Sequence, residues 1–420
     1  MKLTNTRRVI AAGAIGNVLE WYDFAVYGYF ATAIGRKFFP HEDPIAQVLA
    51  AFGVFAVGYL MRPVGGALVG HIGDRLGRRA ALTFSVTAMA IPTFLIGVLP
   101  DYDTFGVMAP VALTFLRMVQ GLSVGGEYTT SIVFMVENAP PGRRGLVGSL
   151  ACCGAVGGIL LGSAVGAVLA SLMPVAALED WGWRIPFLMG LIVGGAGYLL
   201  RRHLTDEPVA TGTHRGPLID TLQLHRKLLA RLAALSLFNA VGFYLIFVYI
   251  VSWLQFVDKI APARALEINT ISMLVLIPVM IGTGRLSDRI GRKPVLAAAT
   301  VIGFFGAVPF FWLMHHTQPF LILLGQLGFV VCVGTFAGCQ PALMVEAVPK
   351  AVRCTAIALG YNICLGIFGG VTPLVATWLV HRTENEISPA FMVMGAAAMS
   401  FLALLTFRET SQSPTADATL

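Results

Sequence analysis

The sequence predicts an all-α membrane protein with twelve transmembrane helices in two pseudo-symmetric six-helix halves. Three observations lead to this fold class: a high apolar content, a regular series of apolar stretches, and a motif that occurs once in each half. Of the 420 residues, 56% are hydrophobic and 12% are charged, against about 25% charged in an ordinary soluble domain. The mean hydropathy is +0.77. Such a chain can hold twelve helices of about 20 residues, the length that crosses a bilayer.

The apolar stretches set the order and bounds of the predicted helices. They lie at 10–33, 46–70, 80–99, 106–136, 146–172, 185–202, 230–256, 266–286, 294–313, 319–347, 354–380 and 388–407. The first has no small-residue cleavage site behind a short apolar core, so we expect no removable signal peptide. The predicted domains are an N-terminal half (1–200), a cytoplasmic linker (201–230), a C-terminal half (231–407) and a disordered cytoplasmic tail (408–420).

Two repeats relate the halves to each other. Gly70-His-Ile-Gly-Asp-Arg-Leu-Gly-Arg-Arg79 returns as Gly284-Arg-Leu-Ser-Asp-Arg-Ile-Gly-Arg-Lys293, with an aspartate four residues after the first glycine. Glu137-Asn-Ala-Pro140 is echoed by Glu346-Ala-Val-Pro349, which lies 209 residues further on (137 to 346). Internal symmetry of this kind is typical of secondary transporters built from two helical halves.

The loops that carry the repeated motif are predicted to act as gates. Their aspartates can pair with the arginines that follow, or face the positive N-terminus of a neighbouring helix, in contacts that form in only one conformation. Arg62 and Glu127, toward the cytoplasmic ends of their spans, are predicted to form a structural pair or an inner gate. The predicted gating residues are Asp74, Arg75, Arg78, Asp288, Arg289, Arg292, Arg62 and Glu127.

Ionisable side chains inside the spans predict a central site, because each is costly at membrane depth. The first span has a polar stripe at helical spacing: Asn17, Glu20, Asp23 and Tyr27. Arg117 and Gln120 on the fourth span lie near the same depth. We hypothesise that Glu20 or Asp23 takes up a coupling proton, which releases Arg117 to bind a substrate carboxylate bidentately. A static ion pair between Glu20 and Arg117 is the alternative.

Aromatic and amide side chains complete the predicted substrate site. The seventh span is aromatic over 243–253, where Tyr244, Phe247, Tyr249 and Trp253 can line a pocket for a quaternary ammonium through cation–π contacts. Helix packing or an interfacial belt is the alternative. The predicted substrate-binding residues are Arg117, Asn17, Tyr27, Gln120, Tyr244, Gln326 and Asn362.

Glycines four residues apart mark one face of the fifth span: Gly154, Gly158, Gly162 and Gly166. A face without side chains lets another helix approach closely, which is how helices associate in lipid. The glycine ladder is therefore predicted to be a packing surface, a sliding surface between the halves, or both.

Other function classes find no support in the sequence. The net charge of +7 comes from basic residues that concentrate in the predicted cytoplasmic loops, and this asymmetry places both termini in the cytoplasm. Nucleic-acid binding would need those residues on one continuous surface with aromatics between them. Neither a phosphate-binding loop, a nucleophile elbow nor a zinc-protease motif is present, and the six cysteines form no Cys-x-x-Cys pair. We therefore predict no enzyme, no metal and no cofactor other than the coupling proton.

The chain resembles the major facilitator superfamily at the two loop motifs, 70–82 and 284–296. It is most similar to the bacterial metabolite:proton symporters of that superfamily, and the similarity covers almost the whole chain. Four segments carry it: Gly16-Asn-Val-Leu-Glu-Trp-Tyr-Asp-Phe24, Arg62-Pro-Val-Gly-Gly66, Arg117-Met-Val-Gln-Gly-Leu-Ser-Val-Gly-Gly-Glu127 and Asp180-Trp-Gly-Trp-Arg-Ile-Pro-Phe187.

The resemblance implies symport of one small polar metabolite with protons across the bacterial inner membrane. Because one chain supplies a complete translocation path, we expect it to work as a monomer. Substrates in that family include proline and betaine, 2-oxoglutarate, citrate and shikimate, and the proline/betaine branch is the most similar, notably across 335–380. The long coiled-coil extension of some osmosensing members is absent, so the resemblance does not imply osmotic regulation. An organic-ion exchanger and a non-transporting membrane sensor of the same fold are the alternatives.

Overall fold

The computed structural model describes residues 17–18, 20–39, 43–66, 68–69, 78–137, 139–201, 226–349 and 353–411. Within these ranges every regular element is a helix. The predicted spans correspond to twelve helices: α1, 20–38; α2, Pro44–Gly66; α3, Arg78–Val98; α4, 108–137; α5, Arg144–Leu172; α6, Arg184–Arg201; α7, Arg226–Phe256; α8, Pro262–Ile290; α9, Arg292–Met314; α10, Pro319–Ala347; α11, 353–383; and α12, Pro389–Leu405. The predicted twelve-helix fold is confirmed.

Over the residues that the structure describes, seven of these helices, α2, α5 and α7 to α11, are each long and apolar enough to cross a membrane. Large apolar side chains on the outside of the bundle are exposed, among them Phe115, Phe305 and Trp312. Apolar surface on this scale is unusual in a soluble monomer, but it matches a lipid environment.

Proline starts four of the helices, at Pro44, Pro262, Pro319 and Pro389. Its fixed φ suits the first helical turn, where the missing N–H group would have no partner in any case. Between α8 and α9 the chain turns at Gly291, whose φ of +107° is favourable only for glycine. The second copy of the repeated motif is therefore a sharp helix-to-helix corner.

The glycine ladder on α5 is a close-packing surface, as predicted. A Cβ added at Gly158 would lie 2.3 Å from the carbonyl oxygen of Val18 on the first span, and one at Gly162 would lie 3.3 Å from Ala25 Cβ. Further along, Gly166 faces Leu266 of α8, in the other half. The same face thus packs against α1 and against the second half.

Five helices depart from regular α-helix in the described part of the predicted spans; in α1 and α2 the departure is a single turn residue, Phe30 and Met61 respectively. In α4 the chain makes a turn at Gly125 and Gly126. In α7 and α11 single π-helical segments occupy Tyr244–Tyr249 and Leu365–Gly369, a feature that often marks functional sites. Both π segments approach Tyr59 of α2, one through the Tyr244 hydroxyl and the other through Gly366.

The predicted domain bounds stay predictions, and two observations bear on them. Helix α7 begins at Arg226, within the predicted linker 201–230; residues 202–225 lie outside the described part. In the predicted tail, 408–420, the carboxylate of Glu409 accepts hydrogen bonds from the backbone N–H groups of Arg292 and Lys293 at 2.8 and 2.9 Å. The first turn of a helix has N–H groups without intrahelical partners, and they hold this part of the tail.

Candidate substrate and coupling site

Asp23 on α1 and Arg117 on α4 form a buried ion pair in the first half. Arg117 Nη1 donates to Asp23 Oδ2 at 2.9 Å, and the two side chains are 0% and 2% exposed. Gln120 Nε2 donates to Asp23 Oδ1 and to Thr93 Oγ1, and Gln120 Oε1 accepts from Arg117 Nη1, each at 2.9 Å. Hydrogen bonds to both carboxylate oxygens offset part of the cost of burying the charges.

Aromatic rings surround the rest of the Arg117 guanidinium. Its Cζ lies 4.3 Å from the ring centroid of Tyr27, 4.6 Å from that of Phe24 and 5.5 Å from that of Phe55. Arg117 Nε and Nη2 are buried and find no hydrogen-bond acceptor within the described ranges. Cation–π attraction therefore replaces hydrogen bonds on that side of the guanidinium.

A second buried ion pair joins Glu20 on α1 to Arg62 on α2. Arg62 Nη2 donates to Glu20 Oε1 at 3.1 Å, with side-chain exposures of 1% and 6%. Arg62 Nε donates to Asn362 Oδ1 at 3.3 Å, which connects this pair to α11 in the second half. Asn362 in turn donates to the carbonyl oxygen of Gly125, at the interruption of α4. The pair therefore lies on the interface between the halves.

The pairing differs from the one considered from the sequence. Glu20 contacts Arg62, and Arg117 contacts Asp23, so the proposed static pair between Glu20 and Arg117 is not formed. The partner considered for Arg62 was Glu127, whose side chain lies outside the described part of the structure. Sequence spacing placed the acids on one helix face, but it could not select which arginine of two other helices each acid would meet.

A cavity of about 30 Å³ lies between the halves beside the Glu20–Arg62 pair. Its lining is mostly aromatic and aliphatic, with Asn239 as a polar exception: Trp21, Tyr128, Cys152, Ala155, Val156, Asn239, Ala240, Phe243, Tyr244, Met280, Ala337, Tyr361 and Leu365. A space of this size holds one or two water molecules. The structure is therefore closed around its centre, because the halves also contact each other on both sides of the cavity.

The aromatic residues of the seventh span do not line one pocket. Tyr244 faces the cavity, and its hydroxyl donates to Tyr59 Oη at 2.7 Å. Tyr249 packs against Phe52 of α2, with ring centroids 6.1 Å apart, and Trp253 Nε1 donates to the carbonyl oxygen of Glu386 in the α11–α12 loop. The alternative interpretation, packing, describes Tyr249 and Trp253.

The other predicted substrate-binding residues are divided among separate contacts. The Tyr27 ring stacks on Arg117, while its hydroxyl donates to the Ala51 carbonyl oxygen at 3.0 Å. Asn17 Nδ2 donates to Ser131 Oγ at 3.3 Å. Arg117, Gln120 and Tyr27 are together and Asn362 is beside Arg62, but neither Asn17 nor Gln326 contacts either arginine. Their roles in substrate binding stay predictions.

Gln326 belongs to a polar network that sequence reasoning did not anticipate. Gln326 Nε2 donates to Asn269 Oδ1 at 2.9 Å and to the Ile246 carbonyl oxygen at 3.1 Å. Asn269 Nδ2 donates to Tyr29 Oη at 3.0 Å and to the Phe247 carbonyl oxygen at 3.2 Å. Because Tyr29 is on α1 and Asn269 on α8, this network joins the halves on the side of the cavity away from the motif loops. An asparagine within an apolar span was the available signal.

On the opposite side the repeated motif closes the interface. The carboxylate of Asp288 accepts hydrogen bonds from the N–H groups of Gly145 and Leu146 at the start of α5, at 2.8 and 2.9 Å. It also pairs with Arg292 Nη1 at 2.8 Å. Asp288 thus contacts both an arginine that follows it and the N-terminus of a neighbouring helix, the two alternatives considered for it; its role as a gate stays a prediction. Asp74 and Arg75 lie outside the described residues, as does the side chain of Arg78.

Two further acids belong to this closure. Arg292 Nε and Nη2 donate to the carboxylate of Glu346 at 3.2 and 3.1 Å, and Thr410 Oγ1 donates to Glu346 Oε2 at 2.6 Å. Glu137 of the first half pairs with Arg353 of the second at 2.5 Å. The two glutamates related by the 209-residue repeat therefore take different partners. Arg289 is exposed and makes no ion pair within the described ranges.

Within the described part of the structure, no cluster of three or more His, Cys, Asp or Glu side chains could hold a metal ion. The site consists of two buried acid–arginine pairs, an apolar cavity and, on each side of the cavity, contacts that close the interface between the halves. Such an arrangement suits ligand binding and conformational change.

Comparison with known families and proteins points the same way. The family model of the Major Facilitator Superfamily matches residues 13–373 and 265–419. The chain is 36% identical to the glycine betaine/proline/ectoine/pipecolic acid transporter OusA of Dickeya dadantii, over 98% of this chain and 85% of that protein. It is 35% identical to the proline/betaine transporter of Escherichia coli K12, with the same coverage. A putative proline/betaine transporter of Staphylococcus aureus is 34% identical, over 96% and 88%.

Solved structures with a similar backbone are also transporters. The crystal structure of a D-xylose–proton symporter has a TM-score of 0.78 at 20% identity and covers 98% of this chain and 99% of its own. A partially occluded inward-open xylose transporter from Escherichia coli has a TM-score of 0.74 at 18% identity, with coverages of 97% and 99%. At these identities the likeness concerns the fold alone.

Proposed function

Because this chain belongs to the major facilitator superfamily, and is a multi-pass membrane transporter rather than an enzyme, we propose that it is a proton-coupled symporter. Its substrate is a small zwitterion or organic acid, and it works by alternating access across the bacterial inner membrane. Proton coupling is proposed from one observation, the Asp23–Arg117 ion pair, which is fully buried between α1 and α4.

Asp23 is the proposed proton carrier. As a carboxylate it holds Arg117 and accepts from Gln120; when it is protonated, its attraction to Arg117 is lost, and the group formed by Glu20, Arg62 and Arg117, whose two arginines lie over the same Phe24 ring, carries a net positive charge. Uncompensated buried charge is costly, so binding of a proton to Asp23 and of an anionic group to these residues are favourable together. This linkage supports symport, since each ligand raises the affinity for the other.

Contacts between the halves close the cavity on each of its two sides, and alternating access requires that these two sets of contacts open in turn. The Asp288 contact with α5 and the Glu137–Arg353 pair hold the motif side shut, and the Asn269 network holds the other side. A transporter passes substrate when one closure opens while the other remains. The excess of basic residues in the loops supports a cytoplasmic location for the motif side and both termini.

The proposed substrate class rests on the relatives, which are named for transport of betaine, proline, ectoine and pipecolic acid. All are small molecules with a carboxylate, and they suit a site with buried arginines. One chain contains both halves and the whole interface between them, so we propose that it works as a monomer, with the proton as its coupling ion and no other cofactor.

Uptake by transport-deficient cells tests this function. Labelled proline, glycine betaine, 2-oxoglutarate, citrate and shikimate are supplied with and without a protonophore. We expect one class to accumulate, and accumulation to collapse with the protonophore. Asp23→Asn should abolish accumulation but retain counterflow. Asp103→Asn, exposed in the short helix Tyr102–Phe105, should behave as wild type. Uptake that survives the protonophore and is stimulated from the opposite side would identify an exchanger, and binding without uptake a sensor.

A further inference from the structure

We propose that the central cavity and Arg62 together form a zwitterion site. The rings of Trp21, Tyr128, Tyr244 and Tyr361, here called the cage, take the cationic end and favour a fully alkylated nitrogen; Arg62 takes the carboxylate. This inference rests on the proposed function and deepens it, because it assigns the selectivity of the same transporter to particular residues.

The cage rings already form a connected group around the cavity. The centroids of Trp21 and Tyr128 lie 5.8 Å apart with the planes at 68°, and those of Trp21 and Tyr244 lie 6.2 Å apart at 22°. Tyr361 is 5.5 Å from Tyr128. Two rings come from the first half and two from the second, so a cation held among them contacts both halves at once.

The cavity lined by the cage offers few hydrogen-bond acceptors. Apart from the tyrosine hydroxyls, its lining includes Asn239, whose Oδ1 is buried without a partner within the described ranges. A primary ammonium group needs three acceptors, and leaving them unmet in a dry cavity is costly. A quaternary ammonium needs none and is attracted by the ring faces. The cage should therefore prefer nitrogen with more alkyl groups.

Arg62 adjoins this cavity, whereas Arg117 does not contact its lining rings. Arg62 Cζ lies 5.7 Å from the Trp21 ring centroid and 5.2 Å from that of Tyr59, which is hydrogen-bonded to Tyr244. Arg62 Nη1 is buried and has no hydrogen-bond partner in the described structure. A substrate carboxylate can accept a hydrogen bond from Arg62 Nη1 while Nη2 still donates to Glu20.

The closed cavity of about 30 Å³ is smaller than any such ligand. The cage rings therefore have to move apart as the substrate enters, and the separation is available where the halves meet. Binding of both ends of the zwitterion then links α1 and α2 to α7 and α11, which is what a substrate that promotes closure must do.

Binding to the purified protein in lipid nanodiscs tests the inference. The ligands are glycine, N-methylglycine, N,N-dimethylglycine and glycine betaine, and the probe without a carboxylate is tetramethylammonium. We expect affinity to rise with each methyl group, by about tenfold or more over the series. Trp21→Leu should abolish the dependence of affinity on the number of methyl groups, and Trp21→Phe should retain it. Trp312→Leu, on the exposed surface of α9, should change nothing.

The comparison of glycine betaine with tetramethylammonium, which lacks a carboxylate, distinguishes the roles of the two arginines. Arg62→Gln should abolish the preference for glycine betaine over tetramethylammonium, and Arg117→Gln should leave that preference intact. The opposite result would assign the carboxylate to Arg117 and overturn this part of the inference. If Trp21→Leu does not fold, Tyr361→Leu replaces it. Zwitterion binding that is indifferent to methylation would overturn the cage but leave the proposed function standing; failure of every zwitterion to bind would overturn both.

Discussion

Asp288, in the second half, caps the helix that begins beside Gly145 in the first, with Oδ1 2.8 Å from the Gly145 nitrogen. The same carboxylate is held by Arg292. Its negative charge is favoured both by the positive end of α5 and by the guanidinium. One side chain therefore joins the halves on the motif side.

Asp288→Asn should weaken that closure. The amide retains shape but loses the charge, and hydrogen bonds to charged groups contribute about 1.5–3 kcal/mol. We expect modification of Cys152, which lines the cavity, to be about tenfold faster from the cytoplasmic side. The measurement uses inside-out vesicles and a variant in which the other cysteines are replaced. Arg289→Gln is the matched control; unchanged modification in Asp288→Asn would contradict the gate assignment.

Gly145→Ala should block closure by bulk alone. An added Cβ would lie 2.3 Å from the carbonyl oxygen of Gly284, the first glycine of the second motif copy. Backbone cannot move aside cheaply, so we expect transport to fall by about tenfold or more, with overpacking worth about 1–3 kcal/mol. Gly282→Ala on the facing helix meets nothing within 4 Å and should transport normally. Equal losses in both variants would point to a general glycine effect.

Glu409→Gln should destabilise the second half. The Glu409 carboxylate accepts from two N–H groups at the start of α9, a position where loss of a cap costs about 1 kcal/mol. Thermal unfolding in detergent should show a lower midpoint. Truncation after Ser411 retains the contact and should leave the midpoint unchanged. If truncation and substitution lower it equally, the contact is not responsible.

The effect of Glu409 should depend on pH in a defined direction. Burial raises the pKa of this carboxyl, but hydrogen bonds from Arg292, Lys293 and Ser411 outweigh burial and leave the pKa below its ordinary 4.5. A lowered folded-state pKa means stability that is present above 4.5 and lost as pH falls through the lowered value. The difference in midpoint between wild type and Glu409→Gln should hold at pH 7 and shrink only below 4.5.

Asn269→Leu should weaken the closure opposite the motif loops. It leaves the Tyr29 hydroxyl and the Phe247 carbonyl oxygen without their amide donor, at about 1–3 kcal/mol for each buried group left unsatisfied. We expect a lower unfolding midpoint and faster modification of Cys152 from outside. Glu267→Gln, exposed on the same helix, is the control. A change from the cytoplasmic side alone would contradict the assignment.

The fold followed from the sequence because its determinants are local. Apolar length decides whether a helix can cross a bilayer, and the repeat of Gly70 and Gly284 reveals the duplication without any knowledge of contacts. The π segments of α7 and α11 were not foreseen, since an apolar stretch such as 244–249 is compatible with either helix type. The contacts of Glu409 were also not foreseen, because the helix end that holds it is distant in sequence.

For the site, sequence reasoning found the groups but not their partners. Glu20, Asp23, Arg62 and Arg117 all stand out as charges within apolar spans. Whether Glu20 meets Arg62 or Arg117 depends on how α1 is rotated between α2 and α4, which is a property of packing. Trp21 was not singled out because an aromatic residue in an apolar span has no feature that separates a binding surface from a packing surface.

The π segment of α7 has a consequence for how the outer part of that helix is oriented. A single π turn accommodates one extra residue, so the side chains beyond it are turned by about 100° relative to a continuous α-helix. Tyr249 and Trp253 thus face Phe52 and the Glu386 carbonyl group, while Tyr244 faces the cavity. If the π turn converted to α-helix, the part of α7 beyond it would rotate about the helix axis. Tyr249 and Trp253 would then lose their present contacts at the same time.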